Sequence, residues 1–314
     1  MAAVLALSGG IGGAKLALGL ARVLGPGELT VVANTGDDFE HLGLSISPDL
    51  DTLMYTLAGL DNPATGWGRR DETWTFMSAL GQLGGETWFR LGDGDLAVHV
   101  ERTRRLRAGE TLTAITEDFR KRLGIGARLM PMSDDPVRTR VNTAEGWLDF
   151  QEYFVHRQCA PIVTGFEFAG AAAARAQPDI LRILRQPDLR AVVICPSNPF
   201  ISVEPILAVP GLRAAIAACA APVVAVSPII GGRAVKGPTA KMMVELGLTC
   251  TAATVAARYA DLLDGYVVDA EDARSLDGRD VVVTPAAILM TSLADRERLA
   301  RAVLDAADAL RRHP

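Results

Sequence analysis

The sequence predicts an α/β fold built on a doubly wound, mostly parallel sheet, as one domain over residues 1–314 with an inserted helical and hairpin region at about 60–160. Three observations predict it. Short runs of Val, Ile, Leu and Ala without polar alternation recur along the chain, as strands buried on both faces require. Helix-forming stretches separate them, and this alternation places ligands at the carboxyl ends of the strands. The first strand also runs directly into a glycine cluster that opens a helix, "ALSGGIGGAKLALGL" at 6–20.

In chain order the strand candidates are "AAVLAL" (2–7), "LTVVAN" (29–34), "PIVTGF" (161–166), "LRAVVICPS" (189–197), "APVVAVSP" (221–228) and "GYVVD" (265–269). Helices are expected at 14–24, 50–58, 110–122, 239–246, 252–263 and 293–311. Residues 60–160 break the rhythm, being richer in Trp, Arg and Asp, and "RLMPMSDDPVRTRVNT" (128–143) reads as strands joined by a turn at 134–136.

Unusual residues gather just after the strands. In the first junction Gly9, Gly10, Gly12 and Gly13 allow a sharp bend and bring bare N–H groups toward a ligand, and the following helix, expected to open at Ala14 and Lys15, favours an anion at its first turn. Phosphate is the expected guest; the plain alternative is a tight turn with no ligand. The dinucleotide fingerprint would need glycine where Lys15 stands, and the Walker spacing is absent. After the second strand, "NTGDDFEHLGLSISPDLDTLMYTLAG" (34–59) carries Asp37, Asp38, Asp49 and Asp51. Asp49 reads equally as a helix cap. Asp38 and Asp51 beside a phosphate loop suit Mg²⁺, which takes one or two protein carboxylates plus ligand phosphates.

"CPSNPFISVEPIL" (195–207) places Ser197 and Asn198 between prolines at a strand end, as donors to a ligand or as parts of a stiff turn. "SPIIGGRAVKGPTAKMM" (227–243) holds Arg233, Lys236 and Lys241 among glycines. Only four of the 32 basic residues are lysine (Lys15, Lys121, Lys236, Lys241), and three of those lie in glycine-flanked segments, where a compact ammonium suits a phosphate oxygen. A solvated charge cluster is the alternative.

Bulk properties exclude other classes. Hydrophobic content of 49% and charged content of 22% describe an ordinary soluble globule, expected in the cytoplasm. A net charge of −5 argues against a nucleic-acid partner. No apolar run approaches the ~18 residues of a membrane span. The four cysteines (159, 195, 219, 250) and four histidines (41, 99, 156, 313) lack metal-ligand spacing, so reduced thiols and no catalytic zinc are expected.

Taken in order, "SGGIGGAKLALGL", "NTGDDFEHLGLSISPDLDTLMYTLAG", "TGWGRRDETW" (65–74), "WFRLGDGDLAVHVERTRRLRAGETLTAITEDFRKRLGI" (88–125), "MSDDPVRTRV" (132–141), "CPSNPFISVEPIL" and "SPIIGGRAVKGPTAKMM" resemble the 2-phospho-L-lactate transferases, the CofD family of coenzyme F-420 biosynthesis. The resemblance implies a Rossmann-like fold, Mg²⁺ as cofactor, a homodimer, and transfer of a phospho-acid from a guanosine diphosphate conjugate to the deazaflavin Fo with release of GMP. Lactyl, enolpyruvyl and glyceryl donors all stay open. The family's acidic metal and deazaflavin positions fall on Asp38 and Asp51, its basic deazaflavin contact on Arg90. Gly10, Gly12, Gly13, Lys15, Ser197, Asn198 and Lys236 would face the nucleotide and its phosphates. Asp51 would polarise the attacking hydroxyl or serve as a metal ligand. Gly94 departs from the family, standing where relatives commonly carry a basic residue. The other reading is a nucleotide-binding regulatory protein of the gluconeogenesis-factor type, without transfer.

Overall fold

A computed structural model describes residues 4–312 except 277 and 279. Positions 2 and 3 of the first strand candidate, and His313, lie outside the described residues. Seven parallel strands form the main sheet in the order Val282–Pro285, Gly265–Val268, Val223–Val226, Ala191–Ile194, Val4–Ser8 (β1), Leu29–Ala33 (β2) and Arg128–Pro131. All pairings are parallel. The chain leaves β1 toward β2 on one side and returns to Ala191–Ile194 on the other. Their carboxyl ends therefore frame the crevice where such sheets bind ligands.

Both faces of the sheet are covered, which is why its strands carry no polar alternation. Leu5, Leu7, Val32, Val192 and Ile194 enter one buried cluster, together with Ile180, Ile206 and Val255 from covering helices. Val4, Ala6, Val31, Ala191 and Val193 enter the other, against the helices Gly10–Val23 (α1), Pro48–Ala58 (α2) and Leu293–Arg312. A third, smaller cluster joins Ile46, Met77 and Leu91 with Phe39, Trp74 and Phe89. No helix of the described residues is long and apolar enough to cross a membrane.

Several elements differ from the sequence-based expectations. The run at 161–166 forms a strand, Val163–Ala169, but it pairs antiparallel with Arg138–Thr143 in a separate three-stranded sheet. Only one of its faces is covered: Ile162 beside it is 57% exposed, so its apolar letters do not mark a fully buried strand. The segment 128–143 does turn, yet its two strands enter different sheets, Arg128–Pro131 joining the main one beside β2. The edge strand Val282–Pro285 is short and partly exposed, leaving little pattern to read. Helix α1 begins at Gly10, four residues before Ala14, so the glycines lie in its first turn rather than ahead of it.

The helix Asp93–Arg107 has no apolar stripe to find, because its buried residues are His99, Arg102 and Thr103. Helices at Thr75–Gln82, Pro178–Leu184, Glu204–Ala208 and Leu212–Ala217 are likewise too short to carry a clear period.

Close packing of α1 on Leu293–Arg312 depends on Gly19, where an added Cβ would overlap the Arg296 carbonyl. Backbone cannot step aside as a flexible side chain does. Gly19→Ala is expected to destabilise the protein by about 1–3 kcal/mol in chemical denaturation; an unchanged midpoint and slope would show that the two helices separate freely.

Candidate active site

A cavity of about 740 Å³ opens over the carboxyl ends of the central strands. Of the residues singled out from sequence, Gly10, Gly12, Lys15, Asp51, Arg90, Ser197, Asn198 and Lys236 line it. Gly13 and Asp38 do not. Gly13 lies beneath the wall, where an added Cβ would overlap the hydroxyls of Ser8 and Ser197, so its part is packing and not ligand contact. Asp38 sits behind the wall, accepting from the Ser47 hydroxyl at 2.8 Å.

The phosphate end is assembled from three strand ends. Gly10 adopts φ +64, a conformation that favours glycine, and an added Cβ at Gly12 would stand 2.5 Å from the Pro196 carbonyl. Ser197 ties the junction together, accepting from Gly9 N at 3.1 Å and donating to Gly9 O at 2.7 Å. Asn198 caps the next turn through Phe200 N at 2.9 Å. Asp49 does not cap its own helix. It reaches across to α1, accepting from Gly10 N at 2.6 Å and from Asn34 Nδ2 at 2.9 Å. Helix geometry leaves the N–H groups of Ile11 and Gly12 without intrahelical acceptors.

Two ammonium groups sit at this end on backbone carbonyls. Lys15 donates to Met290 O at 2.9 Å and Lys236 to Thr65 O at 2.9 Å. Burial lowers the Lys15 pKa, and the positive charges of Arg296 and Lys236 lower it further. An anion placed here would relieve that crowding. Lys241 is directed elsewhere, to Glu245 at 2.6 Å and Pro161 O at 3.0 Å.

On the acidic wall, burial first, and then the neighbouring Asp49 and Asp38, push Asp37 well above the usual carboxylate range. Burial raises Asp38 to about 7, against the opposing pull of Arg138, Ser47 and Arg102, and raises Asp49 to about 6. One oxygen each of Asp37 and Asp38 is buried without a hydrogen-bond partner. Crowded, under-partnered carboxylates next to a cationic phosphate end are a donor set that a hard divalent cation fits.

Asp51 has a partner that the sequence did not reveal. Arg102, 1% exposed, grips both its oxygens, with Nη1 3.0 Å from Oδ2 and Nη2 on Oδ1. Ligand atoms of Asp51, Asp95 and His99 all lie within 4.8 Å of one another, a spacing that could hold a metal ion. The Arg102 guanidinium already supplies positive charge there, with Nη1 3.3 Å from His99 Nδ1. The available signal was the spacing of Asp95, His99 and Arg102, which puts all three on one face of a helix.

Away from the phosphate end the lining is aromatic, with Trp88, Phe89, Phe150 and Phe154, while Trp67 follows Thr65 and Gly66 beside Lys236. Phe150 and Phe154 stack at 5.2 Å, and Trp88 stacks on His156 at 5.1 Å. The Arg90 guanidinium lies over the Trp74 ring, 4.0 Å from its centroid. At Gly94, Glu72 and Arg69 occupy the space a side chain would enter: an added Cβ would meet Glu72 Oε1 at 3.1 Å and Arg69 Cζ at 3.5 Å.

The fold resembles that of a UPF0052 family protein from Bacillus halodurans, with a TM-score of 0.63, 15% identity, and coverage of 96% of this chain and 98% of that one. Much nearer in sequence is a protein named phosphoenolpyruvate transferase from Kitasatospora aureofaciens, 41% identical over 98% of both chains. One of the same name from Streptomyces coelicolor is 40% identical over 98% of this chain and 99% of its own. Another, from a Mycobacterium species (strain KMS), is 38% identical over 95% of this chain and 97% of its own. The family model described as 2-phospho-L-lactate transferase CofD matches residues 4–293, and the chain belongs to that family.

Proposed function

We propose that this protein transfers a phospho-acid from its guanosine diphosphate conjugate to the deazaflavin Fo, releasing GMP, with phosphoenolpyruvate as the acid moved. The observation that carries this reading is one cavity with two unlike ends, cationic and glycine-built at one, aromatic at the other, and an acidic wall that includes Asp37, Asp49 and Asp51. Family membership supports the transferase class, and the name shared by the relatives supports enolpyruvyl over lactyl or glyceryl.

The diphosphate would lie along the first turn of α1, met by the N–H groups of Ile11 and Gly12 and by Lys15 and Lys236. A tricyclic deazaflavin would stack among the aromatic residues, with Arg90 at its edge. Its terminal ribityl hydroxyl would then attack the distal phosphorus. A phosphorus–oxygen bond to Fo forms as the bond to GMP breaks, with the two oxygens roughly in line. Asp37 and Asp51, which line the cavity, are the residues that would hold Mg²⁺, with Asp38 behind them in the wall; the ion when bound would neutralise charge on the diphosphate. Holding hydroxyl and phosphorus together in one cavity supplies much of the acceleration in such reactions.

Purified protein, Fo and Mg²⁺ incubated in parallel with the three diphosphoguanosine donors, and read by mass spectrometry, test the reading. An Fo phosphoester with stoichiometric GMP is expected, fastest from the enolpyruvyl donor. Asp51→Asn should lower turnover by at least about 100-fold with the fold retained. No product from any donor, with protein folded and nucleotide bound, would favour the regulatory reading instead.

The raised carboxylates give a stability signature. Asp38 and Asp49 hold protons in the folded state, to about pH 7 and about pH 6, that the unfolded chain releases near pH 3.8. Their stabilisation is therefore fully present below that unfolded value and is lost as pH rises through the folded ones. In metal-free buffer the Tm should fall between about pH 4 and 7, and Asp38→Asn should flatten that slope. An identical slope in the variant would remove Asp38 as its source.

A further inference from the structure

Asp51 is central to the proposed transfer, and both of its oxygens accept from Arg102. We propose that Arg102 is a positioning residue that fixes the place and orientation of the Asp51 carboxylate in the cavity wall, so that Asp51 meets the reacting groups in one geometry. This rests on the transferase reading above.

The geometry is a two-point clamp supported from behind. Arg102 Nη1 and Nη2 each donate to a different oxygen of Asp51, and Nη1 also reaches Ser45 O at 3.3 Å. Behind it stands His99, with Nδ1 3.3 Å from Arg102 Nη1 and Nε2 3.1 Å from Asp95 Oδ2. Asp95 in turn accepts from the Tyr55 hydroxyl at 2.5 Å. Asp95, His99 and Arg102 come from the helix Asp93–Arg107, while Asp51 and Tyr55 come from α2. Every link in this chain restricts how Asp51 can turn.

Stability alone does not account for such an arrangement, since a buried ion pair is often no better for the fold than an apolar pair of the same volume. A planar guanidinium that donates to both oxygens of a carboxylate sets its plane as well as its place. As the hydroxyl oxygen bonds to phosphorus and the bond to GMP breaks, the hydroxyl proton passes to a phosphoryl oxygen or to water. A loose phosphoryl-transfer transition state is stabilised mainly by positioning and charge.

The test is steady-state kinetics of the full chain with Fo, donor and Mg²⁺ for Arg102→Ala and Arg102→Lys, with folding followed by Tm. Arg102→Ala should lose about 100-fold in kcat with the KM for Fo within about threefold, as expected when a reacting geometry loosens. Millimolar guanidinium should restore at least about tenfold of that loss in a saturable way, whereas a merely structural defect would track the folded fraction and ignore it. Arg102→Lys, which keeps the charge but not the two-point grip, should fall between. A folded Arg102→Ala with unchanged or higher kcat, or a loss that guanidinium does not restore, overturns the proposal. If the alanine variant fails to fold, a folded Arg102→Lys with wild-type kcat overturns it equally. Wild-type protein inactive with every donor would instead defeat the transferase reading itself.

Discussion

Too much buried negative charge at the end of β2 is the constraint on which the site depends. Asp37, Asp38, Asp49 and Asp51 are all buried there. Each is handled differently. Asp49 meets the first N–H of α1, and Asp51 is clamped by Arg102. Among the described residues Asp38 accepts a side-chain hydrogen bond from Ser47 alone, with Arg138 and Arg102 acting on it by charge, while Asp37 keeps a buried oxygen without a hydrogen-bond partner. Removing carboxylates from water is unfavourable unless they are paired, so the cluster stores an imbalance that protons, or a cation, would relieve.

That imbalance lies against the opposite one. Lys15 and Lys236 share the phosphate end, and the charges of Lys236 and of Arg296, which does not line the cavity, lower the Lys15 pKa beyond the effect of burial. A diphosphate with its cation would answer both at once, anion to the lysines and cation to the aspartates. Topology makes the meeting possible, because the strand order reverses beside β1 and leaves the ends of β1, β2 and Ala191–Ile194 around one crevice. The aromatic end is supplied largely by residues outside the main sheet, such as Trp88, Phe150 and Phe154.

Much of this was legible in the sequence where function coincides with a strand end. The central strands show as apolar runs, and Lys15, Asp51, Ser197 and Lys236 follow them directly. What was not legible lies where the local pattern is silent. Asp93–Arg107 buries polar residues, so its helical period carries no hydrophobic signal, and Arg102 looked like one more arginine in an arginine-rich stretch. Gly13 and Asp38 were placed by proximity in sequence, but a single turn separates facing the cavity from standing behind its wall. Asp49 shows the same limit: a carboxylate near a helix start is read as that helix's cap, and here it serves another.

The most direct measurement is Mn²⁺ binding, followed by electron paramagnetic resonance as a stand-in for Mg²⁺, with and without GDP. If the acidic wall and the phosphate end act as one site, GDP should tighten Mn²⁺ binding by about tenfold or more, and Asp37→Asn should weaken it by a similar factor. Mn²⁺ affinity indifferent to both GDP and Asp37→Asn would contradict the account, leaving the buried aspartates as a structural cluster with no part in holding the diphosphate.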